Sequence, residues 1–204
     1  MITIIDYNAG NTGSIKNMIH KIGAESIITS DPDIISSAEK LILPGVGHFD
    51  YGMKNLSQTG LINVLNQRVL IDNVPILGIC LGAQLFTKKS QEGVQGGLGW
   101  FDAETVKFKF DSTATKVPHM GWNSADVNKK NSRLFTGMDD EARFYFVHSY
   151  HMQASSSSDV LAYSTYGYQF ISALEKENIV GVQFHPEKSH RFGMKILKNF
   201  INLY

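Results

Sequence analysis

VPILGICLGAQLF, residues 74–86, holds the chain's one cysteine, and its reading decides the fold. Val74 to Ile79 is a short apolar run opened by Pro75, the pattern of a strand buried on both faces. From Gly82 the sequence becomes helix-compatible, and a helix is predicted over Ala83 to Lys89. Cys80 therefore falls at the corner between strand and helix, flanked by Gly78 and Gly82. The G-x-C-x-G spacing has the physics of a nucleophile elbow, a turn so tight that its neighbours must be small. The unpaired amides and positive end of the following helix favour thiolate over thiol there. A lone free cysteine is more often a small buried hydrophobe. The glycines and the strand–turn–helix setting tilt this one towards nucleophilic chemistry.

Working outward, the segment before this corner alternates strand and helix. Strands are predicted at Ile2–Asp6, Ser26–Thr29 and Lys40–Leu43, with helices at Ser14–Ile22, Asp33–Ala38, Phe49–Leu56 and Leu61–Leu70. Such alternation implies an α/β fold, a mostly parallel twisted sheet with helices on both faces and its site at the carboxyl ends of the strands. The second half reads differently. Ala103–Phe110, Arg143–Val147, Val160–Thr165, Phe170–Glu175 and Ile179–Phe184 are strand-like, several of them alternating, which adds an antiparallel β region. A helix over Phe192–Leu203 closes the chain, and the polar stretches Asn128–Ser132 and Ser155–Ser158 are expected to be surface loops.

The chain has 204 residues, 43% of them hydrophobic, enough for one ordinary core and one expected domain, 1–204. Nineteen basic residues balance nineteen acidic ones, which gives no argument for nucleic acid or an anionic membrane. One cysteine precludes an internal disulfide and suits a reducing cytosol. MITIIDYNAG reads as a first strand rather than a leader, and a cytoplasmic protein is expected. NAGNTG, residues 8–13, lacks the G-x-G-x-x-G spacing, so no dinucleotide cofactor is expected. His148, His151, His185 and His190 have no convincing metal spacing, and no metal is expected either.

About a hundred residues after the cysteine comes VGVQFHPEKSH, 180–190. His185 and Glu187 bracket Pro186, and in an extended segment residues two apart point the same way. A carboxylate beside an imidazole holds its orientation and stabilises its cation, which is what a base serving a cysteine requires. A thiolate attacking a carbonyl also needs donors for the oxyanion. LPGVG, 43–47, offers amides at Gly45, Val46 and Gly47 unless it is a plain turn, and the amide of Leu81 follows the nucleophile. Met120 and Trp122, in the glycine-containing loop VPHMGWN (117–123), suit either a docking surface or the core.

GICLGAQ followed by FHPE, in this order and at this separation, resembles the class I (triad) glutamine amidotransferases over essentially the whole chain. The resemblance implies Cys80 as nucleophile, His185 as general base and acid, and Glu187 as the orienting carboxylate. It implies Val46, Gly47 and Leu81 as the oxyanion hole. Gln84 and Glu92 would hold the amide and α-amino group of glutamine, with His148, Ser149 and Tyr150 on the α-carboxylate side. IIDYNAGN (4–11), LILPGVGHFD (41–50), VPHMGWN, YFVHSYH (145–151) and FHPEKSH are similar to one branch of that family. Its members pass ammonia to a (β/α)8-barrel cyclase that makes imidazole glycerol phosphate and an aminoimidazole carboxamide ribotide in histidine biosynthesis. A heterodimer is thereby implied, with Asn11, Met120, Trp122, Tyr145 and Lys188 facing the cyclase. DYNAGNTGSI (6–15), Ala83 and TKKSQEG (87–93) depart from the branch, and GLGWFDAETVKF (97–108) with SHRFGMKILKNF (189–200) resembles paralogues that supply ammonia for amidination of a surface sugar. A non-catalytic regulatory module is the third reading, and the Cys80–His185–Glu187 set argues against it.

Overall fold

The computed structural model describes residues 1–111, 115–129 and 131–204. The chain begins with β1 (Ile2–Ile5), α1 (Thr12–Ile22), β2 (Ser26–Thr29), α2 (Pro32–Ser36), β3 (Lys40–Gly45) and α3 (Phe49–Gln58). α4 (Leu61–Asn66) follows and continues as a π-helical turn to Ile71, before β4 (Ile76–Cys80) and α5 (Leu81–Gln84). The second half runs through β5 (Lys89–Ser90), β6 (Ala103–Lys107), β7 (His119–Ser124), β8 (Asp126–Val127) and β9 (Arg143–His148). Then come β10 (Tyr150–Ala154), β11 (Val160–Tyr166), β12 (Tyr168–Lys176), β13 (Ile179–Val182) and the closing helix α6 (His190–Leu203).

The strand order of the main sheet is β2-β1-β3-β4-β13-β12-β10-β6-β5, with β11 and β8 added beside β12. β2, β1, β3, β4 and β13 are mutually parallel; β12 then turns antiparallel to β13. The predicted architecture is thus the observed one. Period-2 alternation sends side chains to two cores. Leu41, Leu43 and Ile76 join the core under α2, α3 and α4, while Ile42, Leu77 and Ile79 join the one under α1 and α6. α6 presents Ile196, Leu197 and Phe200, and α1 presents Ile15 and Ile19, to that second core. The last strand of the parallel set, β13, brings the 180s alongside β4 in register Val182 with Ile79, so the two chemical motifs meet at neighbouring strand ends.

Three local readings need correction. The helix after Cys80 is not Ala83–Lys89 but the single turn Leu81–Gln84. Thr87 ends it, since its hydroxyl caps the Gln84 carbonyl at 2.8 Å and the chain then pairs with β6 through Lys88 N–H to Ala103 O. VPHMGWN is not a loop: His119–Ser124 is β7, paired antiparallel with β9 in a second, two-stranded sheet. Met120 and Trp122 are exposed while His119 is buried, so the large apolar side chains face outward, the reverse of the usual pattern. Gly121 at φ +135° adds a turn signal that hides the strand. Tyr150–Ala154 is likewise a strand where none is predicted. In the Asn128–Ser132 stretch Lys130 lies outside the described residues, and Ser132 is buried, its hydroxyl accepting from Phe135 N–H. Ser155 to Ser158 is exposed, as expected of a surface loop. No helix among the described residues is long and apolar enough to cross a membrane.

Candidate active site

Cys80 closes β4 with φ 53° and ψ −111°, a backbone state that non-glycine residues rarely adopt. Its neighbours explain why the chain tolerates this corner. A Cβ on Gly78 would sit 2.5 Å from the Phe86 ring, and one on Gly82 would collide with the carbonyl oxygen of Leu43. Only glycines let β4, α5 and β3 pack so closely. With four residues, α5 aligns few peptide dipoles, so its positive end contributes less to a thiolate than the predicted seven-residue helix would.

His185 follows β13. It is not brought to Glu187 by extended alternation: Pro186–Lys188 is a 3-10 turn, with Pro186 fixing its first residue. Ser189 pins the turn, its hydroxyl donating to His185 O at 2.6 Å and accepting from Tyr145 N–H at 3.0 Å. Within the turn His185 Nδ1 lies 2.7 Å from Glu187 Oε1, and both side chains are almost wholly buried. A carboxylate only accepts, so Nδ1 carries a hydrogen in either protonation state and the proton is gained or lost at Nε2. Nε2 is buried without a hydrogen-bond partner among the described residues. Burial by itself depresses the imidazole's pKa, but the neighbouring Cys80 sulfur and Glu187 outweigh it and raise it to about 10.

Cys80 and His185 open into a cavity of about 390 Å³, together with Val46, Gly47, Leu81, Gln84, Glu92, His148, Ser149 and Tyr150. The structure therefore brings every residue expected to bind substrate or oxyanion to one place. Their present partners differ in kind. Gln84 spends both amide hydrogens, on Tyr150 O and Gln183 Oε1, each at 3.0 Å, which leaves its oxygen for a ligand. Glu92 caps α3 by accepting from Phe49 N–H at 2.8 Å. The amide of Leu81, first in its helix, has no intrahelical partner. The Val46 amide does have one, donating to Ala9 O at 2.7 Å, so it does not serve the cavity in this arrangement.

Gln183, fully buried with its amide 3.7 Å from Cys80 Sγ, is missing from the sequence reading, although its place two residues before His185 on the same strand was a signal. His119 is missing too. The His148 Nδ1–H donates to Tyr150 O at 2.7 Å, so His148 Nε2 accepts from His119 Nδ1 at 3.0 Å. Burial lowers the pKa of His148 to about 3 and that of His119 to about 4, keeping both neutral. His151 meets Met152 O and Tyr168 Oη.

Met120 and Trp122 are 62% and 45% exposed, which excludes the core alternative for them. Trp122 meets the Tyr145 ring edge-on and stacks on His190, and Lys188 Nζ lies 5.7 Å from the Tyr145 ring. Asn11 is exposed at the start of α1, capping Ser14 N–H, and α1 contacts the 186–188 turn. These five residues border the side of the molecule where β9 bridges His185 through Tyr145.

Comparison with known proteins agrees with this geometry. A family model described as glutamine amidotransferase class-I matches residues 3–203. A Methanococcus maripaludis protein named imidazole glycerol phosphate synthase subunit HisH 2 is 55% identical over 98% of both chains. Subunit HisH 1 of the same organism is 46% identical over the full length of both. Among solved structures, one described as PurLQS from Thermotoga maritima superposes with a TM-score of 0.75 at 16% identity, covering 98% of this chain and 97% of that one; it speaks to the fold alone.

Proposed function

We propose, from the premise that this chain belongs to the class-I glutamine amidotransferase family, that it hydrolyses glutamine to glutamate and ammonia as a single glutaminase domain, residues 1–204. Cys80 is the nucleophile. Its proton passes to His185 Nε2, and the sulfur bonds to the side-chain carbonyl carbon as the carbonyl electrons move to oxygen. Collapse breaks the carbon–nitrogen bond, and the imidazolium returns the proton to the leaving nitrogen. Ammonia and a γ-glutamyl thioester result. His185 then takes a proton from water as it attacks the thioester, and glutamate leaves as the thiol is restored. Glu187 holds the imidazole's tautomer and its charge. Gln84 accepts from the substrate through its free oxygen, Glu92 pairs with the α-amino group, and the His148–Tyr150 backbone faces the α-carboxylate.

The oxyanion is received by Leu81 N–H and, once the peptides turn, by Val46 and Gly47. A Val46 amide tied to Ala9 keeps the isolated chain slow, and docking of a (β/α)8-barrel cyclase on Met120, Trp122, Tyr145, Lys188 and Asn11 releases it. The ammonia serves synthesis of imidazole glycerol phosphate in histidine biosynthesis, as the names of the relatives at 55% and 46% identity suggest. The observation that carries the reading is a strained cysteine and a carboxylate-bound imidazole opening into one cavity. Cys80→Ala should abolish glutamine-dependent turnover by the complex and leave ammonia-dependent synthesis intact; loss of both would contradict the division of labour. Isolated chain as fast as the complex would remove the proposed control.

A second acceptor is suggested by the departures of this sequence from the branch at Ala83 and residues 87–93. A paralogue amidinating a surface sugar would share the glutaminase chemistry. Complementation of a histidine auxotroph lacking its own glutaminase subunit decides between them.

A further inference from the structure

We propose that Gln183 is a further catalytic residue, its side-chain N–H donating to the Cys80 sulfur and stabilising the thiolate. The inference rests on the reading of Cys80 as nucleophile. Gln183 is fully buried, where polar groups that lack partners are costly. Its backbone is pinned to β12, with N–H to Ser172 O at 2.8 Å, so the side chain departs from a fixed point.

The oxygen and nitrogen of an amide have nearly the same shape, and which one faces the sulfur must follow from the surrounding network. Here one group decides. The Tyr150 carbonyl can only accept, so the Gln84 atom 3.0 Å from it is the NH2. The other hydrogen of that NH2 reaches Gln183 at 3.0 Å, so Gln183 presents its oxygen there. The Gln183 NH2 is thereby left on the opposite side, 3.7 Å from Cys80 Sγ, within reach of an N–H···S bond. Every link is directed by one backbone carbonyl. The same carbonyl also takes His148 Nδ1–H, so it is itself held in place.

The chemistry asks for such a donor. The Gln183 N–H adds a second stabilising group to the sulfur beside the His185 imidazole, where the one-turn α5 supplies little. An N–H aimed at sulfur enlarges the thiolate fraction before attack. It also assists the second half of the cycle, in which the sulfur leaves the thioester as an anion, since a leaving thiolate of lower pKa departs faster. The sulfur's reactivity towards carbon falls only partly in exchange.

The test is the pH profile of Cys80 alkylation by iodoacetamide in the full chain. Gln183→Met removes the donor at similar volume; Gln183→Glu keeps the acceptor for Gln84 and replaces the donor with a carboxylate. Gln183→Met should move the alkylation midpoint upward by about one pH unit, equivalent to about a tenfold smaller thiolate fraction at neutral pH. Gln183→Glu should move it further. Glutamine turnover in the cyclase complex should lose about tenfold in kcat with KM little changed. Midpoints coincident with wild type in folded variants would overturn the proposal, because a merely structural glutamine would alter unfolding and not the profile. Should neither variant fold, side-chain amide NMR of the wild-type chain gives the answer. The Gln183 NH2 signals must titrate with the thiol, and signals unmoved across that titration overturn it. Undiminished glutamine turnover by Cys80→Ala would instead dispose of the nucleophile itself.

Discussion

Replacing Glu187 by glutamine separates the catalytic work proposed for this carboxylate from any structural one. Glu187 Oε1 lies 2.7 Å from His185 Nδ1, both side chains are 1–2% exposed, and Glu187 Oε2 has no partner among the described residues. A hydrogen bond to a charged group contributes about 1.5–3 kcal/mol. If that stabilises the imidazolium formed when Cys80 gives up its proton, its loss slows the chemical step by about ten- to 150-fold. A glutamine that offers its NH2 to Nδ1 would do more. It would move the ring hydrogen to Nε2 and remove the lone pair facing the thiol, and the analogous carboxylate-to-amide exchange in serine triads costs about 10⁴. Glutaminase assays on the cyclase complex should therefore show kcat reduced at least tenfold with KM little altered, and ammonia-dependent synthesis unchanged. The pH profile supplies an independent sign. Burial lowers the His185 pKa, while the Cys80 sulfur and Glu187 raise it to about 10, so the imidazolium persists above neutrality and is lost as pH rises through that value. Without Glu187 the alkaline limb must move to lower pH. Unfolding should change little, because a carboxylate oxygen buried without a partner is removed with the charge. Unchanged kcat and an unmoved alkaline limb would refute the assignment of Glu187 as the orienting group.

Other perturbations follow from single features. The Tyr7 hydroxyl is buried without a partner among the described residues, so Tyr7→Phe should stabilise the chain by about 1 kcal/mol in urea unfolding; a loss of stability would mean that the hydroxyl is bonded. Gly82→Ala gains up to about 1 kcal/mol of helix propensity but drives a methyl into the Leu43 carbonyl; a net loss of about 1–3 kcal/mol is expected, and a stabilised variant would contradict the β3–α5 packing. His148 stays neutral with a pKa near 3, whereas its unfolded form binds a proton below about 6.5, so stability must fall with pH in that window, by about 2 kcal/mol at pH 5. His119 acts in the same direction and His185, with its raised pKa, offsets less than half of it; urea midpoints level from pH 7 to 5 would contradict this. Trp122→Ala, at an exposed site, should leave the isolated chain's unfolding unchanged and weaken cyclase binding by about tenfold or more in calorimetry; unaltered affinity would place the interface elsewhere.

What was legible in the sequence was whatever a local pattern encodes. Fully apolar runs such as Ile2–Ile5 and Ile76–Cys80 are strands buried on both faces, and glycines on either side of Cys80 announce an elbow. The illegible parts are those where tertiary pairing overrides local preference. Gln84 to Lys88 has helix-compatible residues, yet the Thr87 cap and pairing to β6 end the helix after one turn. β7 escaped because a strand is expected to hide its large side chains, and this one turns Met120 and Trp122 outward. Glu187 was found for a wrong geometric reason, since a 3-10 turn and not an extended strand delivers it to His185. Gln183 carries no local signature, because a buried glutamine has no pattern of its own; its partners, Gln84 and the sulfur, meet it only in the folded chain.

The division between fixed and movable parts of the site follows from where each amide sits. Cys80 is paired in register with Gly45 at the end of β3, and its left-handed backbone is enclosed by Gly78, Gly82 and the Leu43 carbonyl. Altering that corner would cost packing on two strands at once. Val46 is one residue beyond the last paired position, 44% exposed, and followed by Gly47 at φ +103°. Turning its peptide costs one hydrogen bond to Ala9, about 1 kcal/mol net at a half-exposed site. On the proposed reading, a barrel partner covering Met120 and Trp122 would supply more than that from a single well-buried aromatic anchor. The nucleophile thus stays ready at all times, and glutamine hydrolysis waits on the Val46 and Gly47 donors, which a docking event can move.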